Sequence, residues 1–144
     1  MYIITPAAYT ITHSYFNTMQ QGIQSAHAIV EVMANSPKDT TLGDATYDWA
    51  HNHKTIKMLN GGSGDSFIYN ANYLNNLAAR YCLPFAEFKE PDIGNMVTSV
   101  CIVVTPRMVS LVNDYREGIK YNRAEMGVDT HPLVYFLKDL SPAK

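Results

Sequence analysis

Residues 20–34 read QQGIQSAHAIVEVMA, and their spacing predicts an α-helix. Plotted at about 100° per residue, the apolar side chains gather on one side: Ile23, Ala26, Ile29, Val30 and Met33. A second band, roughly 60° wide, holds hydrogen-bonding groups: Gln20, Gln24, His27 and Glu31. We expect the apolar side to pack on a core, while the polar band either faces water or lines a site.

The residues around this stretch set the expected limits of the helix. Asn17 or Thr18 is the expected N-cap, because a short polar side chain there accepts a hydrogen bond from the first turn. The helix should end near residues 35–37, because the residue before a proline is biased away from helical geometry. Before the helix, residues 2–6 predict a short strand and residues 7–19 a loop. Such a loop leads to unpaired helix amides, which are suited to hold an anion.

The next segment favours a strand, a glycine-rich loop and a second helix. Residues 38–45 predict a polar loop and residues 54–59 a second strand. The run NGGSGD at residues 60–65 is either a plain connection or a source of backbone amides for a phosphate. Residues 66–82 predict a helix whose core side has helical spacing: Phe67, Ala71, Leu74, Ala78 and Tyr81.

The last part of the chain favours two more strands and a third helix. Residues 84–90 predict the third strand, and the turn sequence PDIGN follows it. Residues 98–105 (TSVCIVVT) are nearly all apolar or β-branched, which predicts a central strand buried on both faces. Residues 109–121 predict the third helix, and weak helical signal recurs over residues 133–140. The alternation of strands and helices indicates an α/β protein.

The composition fits one soluble globular domain over residues 1–144, with 47% hydrophobic and 17% charged residues. No apolar run approaches the roughly 18 to 20 residues that span a bilayer. The first residues also lack the basic and apolar regions of a signal peptide. We therefore expect a cytoplasmic protein without a membrane partner. Cys82 and Cys101 lack metal-binding spacing and are expected to be buried free thiols.

The charge balance disfavours a large nucleic-acid surface. Eleven Lys and Arg against thirteen Asp and Glu give a net charge of -2, whereas a protein that contacts many phosphates presents a basic face. A compact anionic ligand needs fewer donors, and ten Tyr are available for stacking on bases. The pair His51-x-His53 has no third ligand nearby in the sequence, so we expect no metal and no cofactor.

Two motifs resemble those of the type II peptidyl-tRNA hydrolase family. The first is Gln24 followed by His27-Ala28, in a helix that comes after a strand and a loop. The second is the run FKEPDIGN at residues 88–95 followed by Thr98, which is similar to the acidic turn before the last strand of family relatives. The resemblance implies a mixed four-stranded sheet flanked by helices.

The resemblance covers residues 1–121 and leaves residues 122–144 as a C-terminal extension. At the position of the family's catalytic lysine this chain has Gln20, a neutral amide that carries no charge and exchanges no proton usefully. For a working hydrolase, the resemblance and the residue chemistry leave Asp92 and His27 as candidate catalytic groups. Without the lysine, we expect a cleft that binds a ligand and does not cleave it.

Three functions are therefore considered. The first is a non-catalytic nucleotide-binding protein, such as a viral sponge that sequesters cyclic oligonucleotides or ADP-ribose derivatives used as bacterial immune signals. The second is an active hydrolase whose partner is tRNA, and the third is a domain that binds protein through a tyrosine-rich surface. Because family relatives tend to pair, the resemblance also implies a homodimer. The candidate ligand-binding residues are Gln20, Gln24, His27, Lys89, Asp92, Asn95, Thr98 and Trp49.

Overall fold

A computed structural model of the protein describes residues 5–119 and 131–143. Its elements are β1 (Ala7–Thr12), α1 (Thr18–Asn35), α2 (Thr41–Asp48), β2 (Ile56–Asn60), α3 (Gly64–Tyr81), β3 (Phe85–Glu90), β4 (Met96–Val104), α4 (Pro106–Arg116) and α5 (His131–Asp139). A π-helical turn, Trp49–His53, extends α2, and a 3-10 turn, Pro91–Ile93, joins β3 to β4. None of these helices combines the length and apolar character needed to cross a bilayer.

The four strands form one mixed sheet in the order β2-β1-β4-β3. β1 runs parallel to β2 and antiparallel to β4, and β3 is antiparallel to β4. Helices cover both faces, so the expected α/β fold with a mixed four-stranded sheet is confirmed. β4 is central and buried from Thr98 to Val104, as its β-branched sequence predicts.

The position predicted for the first strand was wrong. β1 is Ala7–Thr12, within the stretch expected to be a loop, and most of residues 2–6 lies outside the described residues. The six residues are all buried. Tyr9 and Ile11 pack on one face of the sheet, while Thr10 and Thr12 reach α1 on the other. Because β1 contains several small and hydroxylated residues, the sequence of this buried strand resembles that of a polar loop.

Each face of the sheet has its own core. The larger core lies under α3, α4 and α5, where Leu133, Val134 and Leu137 of α5 are fully buried. The smaller core lies under α1 and the turn after α2, and contains Ala8, Val32, Trp49, Cys101 and Val103, among others. Burial there raises the pKa of the Cys101 thiol to about 12. The prediction that both thiols are buried is wrong for Cys82, which is exposed because it ends α3 at the surface.

α1 has the predicted limits but the opposite orientation. Asn17 caps it, its side-chain oxygen accepting from the Gln20 amide at 2.9 Å. The predicted core side nevertheless faces solvent for the most part, since Ile23, Val30 and Met33 are exposed. The side against the sheet is small or polar: Gln21, Gln24, Ser25, Ala28 and Val32. The opposing sheet surface carries small or hydroxylated residues, so α1 can lie close to it without large apolar side chains.

Two further segments differ from expectation. The loop predicted at residues 38–45 contains the start of α2, which Thr40 caps by accepting from the Gly43 amide at 3.1 Å. α4 begins directly at Pro106, a residue whose fixed φ suits the first helical position, and ends at Arg116 rather than near residue 121.

The chain after α5 lies along the free edge of β2. The Asn60 amide donates to the Ser141 carbonyl at 2.8 Å, and the Ala143 amide donates to the Met58 carbonyl at 3.0 Å. Leu59 and Pro142 form the bridge between the two segments. The tail therefore pairs with backbone groups that an open edge strand would leave to solvent.

Candidate functional site

The carboxyl ends of the parallel strands β1 and β2 meet at one edge of the sheet. From this edge the chain continues into α1 on one face and into α3 on the other. Open α/β sheets commonly bind ligands where adjacent connections diverge in this way. Here the two loops are bonded together, because the Ser14 amide donates to the Gly62 carbonyl at 2.8 Å and the Gly61 amide to the Thr12 carbonyl at 2.9 Å.

A β-bulge places Thr98 beside α1. The register of β3 and β4 pairs Phe88 with Ser99 but Lys89 with Val97, so Thr98 has no opposite residue in β3. An extra residue of this kind turns a side chain away from the regular alternation. As a result, the buried Thr98 hydroxyl donates to the Gln24 side-chain oxygen at 2.5 Å.

Gln24 links this bulge to the end of β3. Its Nε2 donates to Glu90 Oε2 at 2.9 Å, and Glu90 Oε1 accepts from the Asp92 amide at 3.3 Å. These two hydrogen bonds, with a smaller attraction from His27, lower the pKa of the Glu90 carboxyl below its ordinary value. Glu90 is therefore an ionised acceptor at neutral pH, held in place by Gln24.

His27, three residues after Gln24 on α1, contacts β3 through its ring. The imidazole stacks on Phe88 with a centroid distance of 4.4 Å and an interplanar angle of 11°. The His27 residue is exposed, whereas Phe88 is partly buried against the smaller core. The polar band predicted on α1 thus borders β3, and Gln24 and His27 are its contacts with that strand.

Hydroxyl groups connect α1 to β1 underneath this band. Ser25 Oγ accepts from Thr10 Oγ1 at 2.9 Å and lies 2.8 Å from Thr12 Oγ1. All three residues are buried. Ser99, paired with Thr12 in the sheet, has a buried hydroxyl with no hydrogen-bond partner among the described residues.

His13 occupies the junction of the two loops. Its Nδ1 faces the Tyr15 amide and its Nε2 faces the Gly64 amide, each at 3.1 Å. Partial burial lowers the pKa of His13. A neutral imidazole accepts a hydrogen bond at one nitrogen, whereas a protonated ring would present N–H groups to both amides. The junction therefore requires a neutral His13.

Three predicted site residues lie together, and two others lie in the turn that follows β3. Gln24, His27 and Thr98 converge near Glu90. Asp92 and Asn95 follow in the turn, where the Asn95 amide donates to the Glu90 carbonyl at 2.9 Å. Gln20 is exposed one helical turn before Gln24.

Two predicted ligand-binding residues lie elsewhere. Trp49 is 3% exposed in the smaller core and donates from Nε1 to the Thr55 carbonyl at 2.7 Å, so its ring faces are not open to a ligand. Lys89 approaches Glu87 at 3.8 Å, two residues back along β3. That spacing puts both on the face away from Gln24.

The residues that sequence reasoning missed are Phe88, Glu90, Ser25 and His13. Glu90 and Phe88 lie within the acidic turn motif, which was the available signal for them. The bulge at Thr98 leaves no such signal, because it depends on pairing between strands.

The histidines after α2 have other partners. The His51 ring stacks on Tyr47 at 3.8 Å, and His53 Nε2 lies 3.3 Å from an Asp48 carboxylate oxygen. Within residues 5–119 and 131–143, no three His, Cys, Asp or Glu side chains come close enough to hold a metal ion.

A separate groove of about 640 Å³ lies at the C-terminal end of α1. Met33, Ser36, Pro37 and Tyr47 are among its lining residues. It is roughly 14 Å along the helix from Gln24, since nine residues at about 1.5 Å each separate Gln24 from Met33. The groove is therefore distinct from the group of residues around Glu90.

Comparison of the chain with protein-family models and with curated protein sequences finds no match. The resemblance to type II peptidyl-tRNA hydrolases rests on the quoted sequence motifs.

Proposed function

We propose that the chain binds a small nucleotide-type ligand in the cleft between the first half of α1 and the turn after β3, and that it does not hydrolyse this ligand. The observation that carries the proposal is the exposed neutral amide of Gln20 in the first turn of α1. In the family that the sequence resembles, a lysine occupies this position.

The cleft offers different groups to different parts of such a ligand. Asn17 caps the Gln20 amide. The amides of Thr18 and Met19 before it have no intrahelical partners, and the helix dipole favours an anion beside them. The ionised Glu90 carboxylate is a strong acceptor for ribose hydroxyl groups. Gln20 can both donate and accept at a base edge. The positive N-terminal end of α1 would bind a phosphate, and the negative Glu90 carboxylate would bind a sugar.

The same groups are poorly suited to catalysis. Hydrolysis needs an activated water and a donor for the developing oxyanion. Both ends of the Gln24 amide are already bonded, to Thr98 and Glu90. The lowered pKa of Glu90 makes it a weak base. A protein of this kind would act by sequestration, the role of a sponge for cyclic oligonucleotides or ADP-ribose derivatives.

An active peptidyl-tRNA hydrolase is the second candidate, and His27 is the observation that favours it. Its imidazole is exposed, is held by Phe88 and is attracted to Glu90. A positioned histidine beside a carboxylate is a common general base. In this reading His27 activates water, and Asp92 helps to orient it.

A ligand panel tests the first candidate. The protein is heated with cyclic dinucleotides, cyclic trinucleotides and ADP-ribose derivatives, and a bound ligand at about 100 times its Kd stabilises the fold by about 2.7 kcal/mol. We expect a raised Tm for one class and recovery of that ligand intact. Glu90→Gln should remove the shift, whereas Lys89→Ala, on the other face of the sheet, should retain it.

Two outcomes would contradict the proposal. One is the absence of any shift across the panel. The other is steady cleavage of N-acyl-aminoacyl-tRNA by the wild-type protein that His27→Ala abolishes, which would establish the hydrolase instead.

A further inference from the structure

The solvent-facing side of α1 carries an apolar stripe. Met19 is 77% exposed, Ile23 48%, Val30 61% and Met33 48%, and Ala26 between them is also exposed. A surface helix ordinarily turns such a side towards its own core. Here the side against the sheet is the small and polar one, so the large apolar residues of α1 have no cover within the described part of the chain.

The stripe has the spacing of a helix-pairing surface. Its residues recur at intervals of four, three, four and three, which is the a/d pattern of helices that pack along each other. The order of side-chain types along the stripe is the same in both directions: methionine at each end, a β-branched residue next to it and alanine in the middle. A small central residue lets two helix axes approach closely. The stripe is thus complementary to an antiparallel copy of itself.

The electrostatics of α1 also permit this pairing. Glu31 is the only charged residue of Thr18–Asn35, and its carboxylate accepts from the Asn35 side chain at 2.9 Å. The positions beside the stripe are uncharged or histidine: Gln20, Gly22, His27, Ile29 and Ala34. Two copies of this surface would meet without opposing like charges at neutral pH, a cost that most charged surface helices would incur.

Each end of the stripe has a feature that fits the opposite end of an antiparallel second copy. Before Met19 stands Tyr15, which is 82% exposed. Beyond Met33 lies the 640 Å³ groove, lined by Pro37 and by Tyr47, which is 62% exposed. In an antiparallel arrangement centred near Ala26, the N-terminal end of one stripe meets the C-terminal end of the other. Tyr15 would then reach the groove of the second molecule.

We propose that α1 is the interface of a homodimer, in which two copies pair antiparallel about a two-fold axis near Ala26 and Tyr15 of each copy enters the groove of the other. All six large side chains of this surface are between 48% and 82% exposed, so burying them would contribute to the roughly 800 Å² that each partner gives to a standard interface. The proposal does not require a bound ligand, but the interface would border the proposed ligand site, because Gln20 and His27 flank the stripe.

The oligomeric state tests the surface. We expect light scattering at micromolar concentration to give twice the 16.1 kDa mass of one chain. Val30→Glu should give a monomer with an unchanged circular dichroism spectrum. The matched control is Ile68→Glu on α3, since Ile68 is 53% exposed on the other face of the sheet, and it should remain dimeric. A monomeric wild type, or a dimer that persists in Val30→Glu, would overturn the proposal.

Disulfide trapping tests the direction of the helices. In a Cys82→Ser background, Ala26→Cys should cross-link to its own copy under mild oxidation. Met19→Cys should not, because antiparallel pairing separates the two copies of position 19 by roughly 21 Å along the helix, whereas a disulfide needs Cα atoms within about 7 Å. Cross-linking of Met19→Cys, or none of Ala26→Cys, would contradict the two-fold axis proposed.

Discussion

Gln24 is the side chain that connects α1 to both β3 and β4. It accepts from Thr98 and donates to Glu90, and it is buried while doing so. A buried amide in this position bonds the buried Thr98 hydroxyl and one of the two carboxylate oxygens of Glu90. Its contribution is therefore larger than that of an exposed glutamine of the same helix.

We expect Gln24→Ala to lower the free energy of unfolding by about 1–3 kcal/mol, because Thr98 and Glu90 each lose a hydrogen bond. Gln20→Ala, four residues earlier and exposed, should change it by no more than about 0.5 kcal/mol. Urea unfolding of the two variants measures both values. Equal effects would show that the bridge between α1 and the sheet contributes little.

His13 predicts a pH dependence of stability. Its folded pKa is lowered from the ordinary value of 6.5 by burial, so between the two pKa values the unfolded chain binds more protons. The free energy of unfolding should therefore fall as the pH drops below about 6.5, towards the folded pKa. The His13 contribution to stability is fully present above about pH 6.5.

The measurement is the urea midpoint of the wild type and of His13→Gln at about pH 7.5 and about pH 5.5. The variant removes the titrating group, so its midpoint should fall less over this range. Parallel losses in both proteins would assign the acid sensitivity to other groups.

At the scale of elements, the spacing of apolar residues predicted the structure correctly where side chains pack on a continuous apolar surface. The core side of α3 and the buried strand β4 follow directly from their spacing and β-branched residues. β1 was missed because its face towards α1 is filled by Ala8, Thr10 and Thr12, which gives a buried strand a partly polar sequence. The predicted orientation of α1 was wrong because the residues that face the sheet are small or polar. These residues let α1 lie close to the sheet and form hydrogen bonds with it.

The candidate site was predictable to a similar extent. Gln24, His27 and Thr98 meet in the structure because α1 packs on β3 and β4. Lys89 and Trp49 do not join them, since strand alternation turns one away and core packing buries the other. Neither the β-bulge at Thr98 nor the burial of Trp49 can be predicted from local sequence.

Two glycines of neighbouring elements should respond in opposite ways to alanine. A Cβ on Gly61, after β2, would lie 2.2 Å from Ile11 Cγ2 and 2.8 Å from Phe67 Cδ2. Gly61→Ala should cost about 1–3 kcal/mol through overpacking. A Cβ on Gly22, in α1, meets no described atom within 4 Å. Gly22→Ala should add about 0.5–1 kcal/mol by improving helix propensity.

Thermal or urea unfolding of the two alanine variants gives the comparison. A stabilised Gly61→Ala would mean that the loop between β2 and α3 shifts freely to accept a methyl group. A destabilised Gly22→Ala would mean that something approaches that side of α1 closely in solution.

For the whole molecule, the tail after α5 closes one edge of the sheet. Its contacts with β2 are made by main-chain atoms of Ser141 and Ala143. Truncation after Leu140 should uncover the edge of β2, where Ile56 is already exposed. We expect faster aggregation on warming, because an unpaired strand edge recruits other chains.

Light scattering during a temperature ramp measures this effect. Ser141→Ala keeps the main-chain carbonyl and should behave like the wild type. If the truncated chain aggregates no faster, the edge of β2 is protected by other means.

The two thiols of the chain differ in access, and this difference makes them a built-in reporter. Cys82 stands at the surface, whereas Cys101 lies within the central strand with its pKa raised to about 12. An alkylating reagent should modify one sulfur at once and reach the second only when β4 separates from its neighbours. The slow phase of such labelling would time the opening of the sheet without any added probe.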